Sequence, residues 1–253
     1  MRQKSGTNLL KRSANEVRRY RIYKKVIPIC LACIAIVVGI AYAVSVMYTR
    51  FGSFTVAVDK YHSLQYGLAL YENHNNPKHT ASLNTRCSEV ITNIDGTQLD
   101  QIDLGAIDGA DNGQNYLCYT FYCENTGEEE ISFDYSINIV NMTMGIEAAV
   151  RVRLITTYNG TEKKTVDYAR MGYNPETGES KPEETPHETT PFWNRTVVML
   201  ENQKNFKPHD VNKYTVVIWL EGTDRDCIDD IIGGEFKIDM KFSVVSAGGV
   251  EVK

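Results

Sequence analysis

After residue 50 the sequence has no H-E-x-x-H, no G-x-S-x-G, no glycine-rich phosphate loop and no paired Cys/His spacing. Metallopeptidase, serine-hydrolase, nucleotide-binding and zinc-module readings therefore lose their usual signatures, and no motif implies a cofactor. From residue 50 onward basic charge is also scarce, with 18 Lys and Arg against 31 Asp and Glu, a net −13 that the whole-chain value of −5 conceals. A surface of that sign argues against nucleic acid as a partner. A long segment of helical, 3.6-residue periodicity is missing as well, which argues against a helical bundle.

Between Val26 and Met47 charge itself is absent. These 22 positions would rise roughly 33 Å as a helix, the thickness of a hydrocarbon core. Nine basic residues precede the stretch (Arg2, Lys4, Lys11, Arg12, Arg18, Arg19, Arg21, Lys24 and Lys25) against the single acid Glu16. The positive-inside bias puts such an N-terminus in the cytoplasm and exports the C-terminal part. The chain thus reads as a basic cytoplasmic segment (1–25), a transmembrane helix or signal h-region (26–48) and an exported domain (49–253), with the membrane as its first partner. Ala41-Tyr42-Ala43 has the small-x-small form of a signal cleavage site, at Ala41 and Ala43, but the 18 residues from 26 to 43 exceed the usual 7 to 15 of a signal peptide. That length favours a retained single-pass anchor. Cleavage would instead release the domain to the extracellular matrix with Val44, Val46 and Tyr48 on one face of a new N-terminal strand.

Six cysteines divide by compartment. Cys30 and Cys33 lie within the apolar stretch, where packing, or acylation of Cys30, suits them better than metal binding. Cys87, Cys118, Cys123 and Cys227 are exported, an even number that permits two disulfides in three connectivities. Cys118 and Cys123 are five positions apart in one strand, so they point to opposite faces roughly 16 Å apart and cannot join each other without a bend. Any disulfide therefore pairs each of them with Cys87 or Cys227, in either arrangement, and four free thiols are the alternative.

What the exported region does have is period-2 alternation. Phe236, Ile238, Met240, Phe242 and Val244 form one face of a strand and Lys237, Asp239, Lys241 and Ser243 the other. The same pattern runs through Phe54-Val56-Val58, Tyr66-Leu68-Leu70, Leu117 to Cys123, Ile131 to Ile139, Val150-Val152-Leu154 and Tyr214 to Leu220, and more weakly through Val166-Tyr168 and Val197-Met199. About nine strands separated by turns predict an all-β fold, an antiparallel β-sandwich of jelly-roll-like or Greek-key type behind one N-terminal helix. Asn125-Thr126-Gly127 predicts a hairpin between the strands that flank it, and Ser82 to Ile94 a short helix. Gly172 to Pro191 holds four prolines, five glutamates and four threonines in 20 residues, the composition of a flexible, solvated loop.

Titratable residues offer little chemistry. His74, His79, His187 and His209 read as solvated loop histidines, because an i,i+5 pair does not present two imidazoles to one metal. Asp224, Asp226, Asp229 and Asp230 supply oxygens but not the spacing of a calcium loop, and they read as an acidic surface loop, as do Asp108, Asp111 and Asn112. N-x-[ST] triplets begin at Asn141, Asn159 and Asn194, and they matter only in a eukaryotic secretory pathway.

Several stretches taken together are familiar: the apolar segment followed by Arg50-Phe51-Gly52-Ser53-Phe54, the run NYLCYTFYCENTG ending at Gly127, YTVVIWLEG from Tyr214 to Gly222, and Asp229-Asp230-Ile231-Ile232-Gly233-Gly234. The combination resembles exported proteins of Gram-positive bacteria that carry a SipW-type signal, distant relatives of the TasA/camelysin family. The resemblance implies a β-sandwich subunit of extracellular fibres and brings no catalytic residue onto this chain. The sequence departs from the family in its long basic head, its Pro/Glu/Thr-rich segment and its extra cysteines. The expectation is a non-enzymatic cell-surface or matrix protein that self-associates or binds other surface proteins. A membrane-tethered binding module is the alternative, and a surface hydrolase the weaker one.

Overall fold

The computed structural model describes residues 26–40, 53–86, 91–173, 176–183 and 186–252. Two units divide the chain, Met1–Arg50 and Phe51–Lys253. In the first, residues 26–40 form helix α1, whose valine, isoleucine and leucine side chains are all exposed, from 45% at Val26 to 65% at Val37. Its fifteen residues rise about 22 Å, and no helix among the described residues is long and apolar enough to cross a membrane. Ala41, Ala43, Val44, Val46, Tyr48 and Cys87 lie outside the described residues.

The second unit is mostly β. In chain order it runs β1 (Ser53–Val58), helix α2 (Lys60–Tyr66), β2 (Leu68–Tyr71), β3 (Ser82–Arg86), β4 (Asn93–Ile94) and the one-turn helix α3 (Gly96–Leu99). There follow β5 (Gly109–Ala110), β6 (Tyr116–Asn125), β7 (Ile131–Met142), β8 (Val150–Tyr158), β9 (Glu162–Ala169) and the short β10 (Gly172–Tyr173), β11 (Ser180–Lys181) and β12 (Thr190–Pro191). The chain closes with β13 (Val197–Phe206), β14 (Val211–Glu221), β15 (Phe236–Ala247) and β16 (Val250–Glu251). One sheet has the order β13-β7-β15-β1-β3, with β16 beside β15; the other has β12-β9-β8-β14-β6-β2, with β4 on β14 and β5 on β6. Antiparallel pairing dominates, but β1 with β15, β9 with β12 and β4 with β14 run parallel, so both sheets are mixed rather than purely antiparallel.

Each alternating stretch of the sequence lies in a strand, except that Tyr66 closes α2. Ile238, Met240, Phe242 and Val244 of β15 are buried while Lys241 stays wet, as period 2 requires. They join Phe133 and Tyr135 of β7 in one apolar cluster with Tyr119 and Phe121 of β6, Val152 of β8 and Tyr214 of β14, so both sheets feed the same core. The second sheet is also covered on its other face. Cys118, Ile155, Val217 and Trp219 pack there with Leu99 and Leu104 from the segment around α3. β6 and β8 therefore each bury seven consecutive residues.

Three connections differ from expectation. No helix forms in the described part of Ser82 to Ile94; β3 and β4 lie there and the helices flank the segment. Asn125-Thr126-Gly127 does not close a hairpin, since β6 and β7 belong to different sheets. The cause is Asn125, fully buried, whose Nδ2 donates to the carbonyls of Glu129 (2.8 Å) and Phe206 (3.0 Å) while its Oδ1 accepts from the Gly127 amide. These bonds turn the chain out of one sheet into the other. Gly67 supports the same corner at φ +73°, where a Cβ would sit 2.3 Å from the Gly127 amide nitrogen. Three hydrogen bonds of this side chain, one buried and two partly so, at about 0.5–1.5 kcal/mol each predict that Asn125→Ala loses about 2–4 kcal/mol in urea denaturation; a loss within error would show that the corner forms without them. The third difference is Gly172 to Pro191, which is no bare spacer: it carries β10, β11 and β12, and buried Thr189 donates through both its amide and its hydroxyl to the Glu183 carbonyl.

Candidate functional site

Among the described residues no disulfide is formed: Cys118, Cys123 and Cys227 are free thiols, as in the alternative reading, and Cys87 lies outside them. Cys118 and Cys123 do lie on opposite faces of β6, in separate apolar clusters. Cys123 pairs with Asn212 near the start of β14, while Cys227 follows its end at Glu221, about 30 Å away at 3.3 Å per residue, so these two cannot meet. Burial pushes the Cys118 thiol up to about 11 and that of Cys123 well above its ordinary value. Both are protonated at neutral pH and unsuited to nucleophilic or metal chemistry.

The polar run Asn73 to His79 is held down rather than free. His74 stacks on Tyr122 with ring centroids 4.9 Å apart, and its amide donates to Asp108, which also accepts from the Tyr122 hydroxyl at 2.7 Å. His79 Nε2 meets Glu124 at 2.8 Å, and Tyr71 stacks on Tyr122 at 5.1 Å. Asp108 is thus a docking post for this run, and burial together with Glu124 and Asp108 raises the Tyr71 hydroxyl to about 12. Asn112 caps the neighbouring turn by accepting from the Cys118 amide. Among the described residues no three His, Cys, Asp or Glu side chains group to hold a metal.

The larger surprise lies on the covered face of the second sheet. Arg151 is wholly buried, its Nη2 2.5 Å from Asp224 Oδ2, so Asp224 is a buried counter-ion and not part of an acidic surface loop. Arg153 makes a bidentate pair with Asp167 (2.7 and 2.8 Å), reaches Asp100 with its other nitrogen at 2.8 Å, and lies over Trp219. Asp100 in turn meets His187 Nε2 at 2.6 Å, so this histidine pins the Pro/Glu/Thr-rich segment to the sheet. Glu221, also buried, accepts from Trp219 Nε1, the Gly96 amide and Thr223.

Burial alone would raise Asp100, but hydrogen bonds from His187 and Arg153 hold it below its ordinary 3.8. Glu201 is held below 4.5 against the same opposing burial, by Lys164 and Tyr135. A carboxyl depressed in the folded state stabilises above its unfolded pKa and loses that contribution as pH falls through the folded one. Glu183, raised first by burial and next by Asp224, acts in the opposite sense and is relieved by protonation. Asp95 is held down too, first by the Thr97 amide, and with three groups against one, thermal stability should hold from neutrality to about pH 5 and decline through 4.5 and 3.8. Melting followed by circular dichroism checks this, and a Tm rising across that window would show that Glu183 dominates.

At the end of the domain where β7 and β9 finish, a groove of about 370 Å³ is lined by Ile139, Met142, Arg170, Met171, Phe192 and Arg195. An ion pair of Arg170 with Glu147 borders it. In the connections at this end Val140, Met144, Met171, Trp193 and Ile232 are exposed, and a Cβ added at Gly233 would lie 4.0 Å from the Met144 sulfur. Asn194 folds the rim by accepting from the amides of Thr196 and Val197 and Asn141 donates to Glu235, whereas Asn159, in the β8–β9 turn at the other end of the domain, accepts from the Val211 amide. No sequence signal marked this end, because the residues come from four separate connections. Comparison of the chain with protein-family models, with curated proteins and with solved structures finds no match to any of them.

Proposed function

We propose that the chain is a non-enzymatic, membrane-anchored protein of the cell surface, with its N-terminus cytoplasmic and its β domain, a sandwich of jelly-roll-like or Greek-key type, acting outside as a structural or adhesive module. The observation that carries this reading is the charge-free stretch Val26 to Met47 with nine basic residues on its N-terminal side. The exposed apolar surface of α1 supports it, since such a surface is stable only against lipid or protein. Protease added to protoplasts should digest the domain beyond Arg50 and spare an N-terminal fragment; a fully protected domain overturns the orientation.

The likeness to the TasA/camelysin family extends the proposal to fibres. β13 supports that extension, because among the described residues no strand pairs with its outer side and an added strand would find a ready edge there. Protein beginning at Val44 would supply Val44, Val46 and Tyr48 as a donor strand and should elongate into filaments visible by electron microscopy, whereas protein beginning at Ser53 should stay monomeric. If both stay monomeric over a wide range of concentration and pH, fibre formation fails. The groove favours a second reading, a tethered partner-binding module. Chelator-sensitive cleavage of casein, restored by zinc, would overturn both in favour of a surface hydrolase.

A further inference from the structure

Strand register shows where the chain enters the domain. Thr55 of β1 pairs with Asp239 of β15, Asp239 with Asn138 of β7, and Asn138 with Val197 of β13, so these four stand in one row across the first sheet. β1 and β15 are parallel to each other and antiparallel to β7. Backward from the row along β1 lies Ser53, along β15 Phe236, and along β13 the turn holding Trp193 and Arg195; forward along β7 lie Val140 and Met142. The chain therefore enters β1 at the end that carries the groove and its exposed apolar rim. Five residues, Tyr48 to Gly52, separate Ser53 from the last residue of the charge-free stretch. They span at most about 20 Å when extended.

The rim is apolar and aromatic. Trp193 is 66% exposed and Ile232 70%, and Val140, Met144 and Met171 of the other connections at this end are exposed as well. Met142 connects the two sides, lining the groove with Met171 and Phe192 while preceding the Thr143–Met144 turn, against which Gly233 and Gly234 pack. Charge at this end is net acidic, two arginines standing against four carboxylates. Arg170 is paired with Glu147, Arg195 lines the groove, and Asp229, Asp230 and Glu235 stand near Ile232. Attraction to an anionic surface is therefore weak, and what the rim offers is insertion of apolar side chains with Trp at the interface.

We infer that this end of the domain is a lipid-docking face, seating Trp193, Met144, Met171 and Ile232 in the interface of the bilayer that holds the anchor. The inference rests on the anchor reading of the proposed function. Docking fixes the domain's orientation, with the corner at Asn125 and the C-terminal β16 directed away from the membrane.

The two tryptophans make the test direct, because Trp219 is buried and Trp193 is not. The full chain is reconstituted into vesicles of zwitterionic phosphatidylcholine, with and without bromine on the upper acyl carbons, and washed with alkaline carbonate. Docking predicts that brominated lipid quenches about half of the tryptophan emission, the share of one exposed indole in the interface. The quenching should vanish in Trp193→Phe, drop several-fold in Met144→Glu/Ile232→Glu, and persist in Leu64→Glu, which alters an exposed residue of α2 at the other end. Loss of the protein in the carbonate wash overturns the anchor reading and this inference with it. Protein retained in the vesicles but unquenched overturns the docking face alone, as does quenching that survives Trp193→Phe.

Discussion

Asp224→Ala should destabilise the domain by about 3–5 kcal/mol, because it leaves the Arg151 guanidinium buried without its counter-ion. Arg151 has no exposed surface, and among the described residues its only charged partner within hydrogen-bonding distance is Asp224, whose Oδ1 in turn accepts from the Asp226 amide. Its Nη1 makes only long contacts, 3.4 Å to the carbonyls of Ala148 and Val150, and its Nε has no partner among the described residues. A guanidinium so placed has nothing to fall back on. The pair itself need not be stabilising, since desolvating two charges costs as much as their attraction returns. Replacing both, as Arg151→Met with Asp224→Leu, should therefore recover most of the loss. Urea denaturation of the two variants and the wild type measures both effects. A loss under about 1 kcal/mol for Asp224→Ala would mean that water reaches the arginine.

That pair marks the limit of what the sequence discloses. In Val150-Arg151-Val152-Arg153-Leu154 the alternation correctly assigns the valines and leucine to the core and the arginines to the other face. It says nothing about whether that other face is wet. Here the face is roofed by segments distant in sequence, around Leu99 and Leu104, around His187, and beyond Glu221, so acids that read as solvated loops become counter-ions and caps. A period-2 pattern is a property of one strand, whereas a roof is a property of the whole chain. The corner at Asn125 shows the same limit: the turn chemistry of Asn-Thr-Gly is legible, but a hairpin and a crossing between sheets begin with the same residues. What distinguishes them is the carbonyl of Phe206, which lies 81 positions further along the chain. The thiols are a third case, because an even count permits pairing while only the fold places Cys123 and Cys227 at opposite ends of β14.

The alternating strands, by contrast, were legible because each buries one face in the core that both sheets share, and Phe242 tests that core most severely. Its ring is 1% exposed and stands between the sheets. It contacts Phe133 and Tyr135 from its own sheet at 5.8 and 5.9 Å between centroids, and Phe121 and Tyr214 from the other at 6.1 and 5.3 Å. Two of these contacts, with Phe121 and Tyr214, are edge-to-face, the arrangement in which aromatic quadrupoles attract. Phe242→Ala removes the ring from all four neighbours at once, and those rigid neighbours are themselves fixed by strand pairing, so the cavity cannot collapse well. The expected loss is about 3–5 kcal/mol, at the upper end of that range. Phe242→Leu keeps most of the volume and should lose under about 2 kcal/mol. Lys241→Ala, one residue away on the wet face of β15, should stay within about 0.5 kcal/mol. Chemical denaturation of the three variants reads the contrast. Equal losses at 241 and 242 would mean that the two sheets do not share this core, whereas a loss confined to Phe242 with an unchanged m-value places the ring at the joint on which cooperative unfolding of both sheets depends.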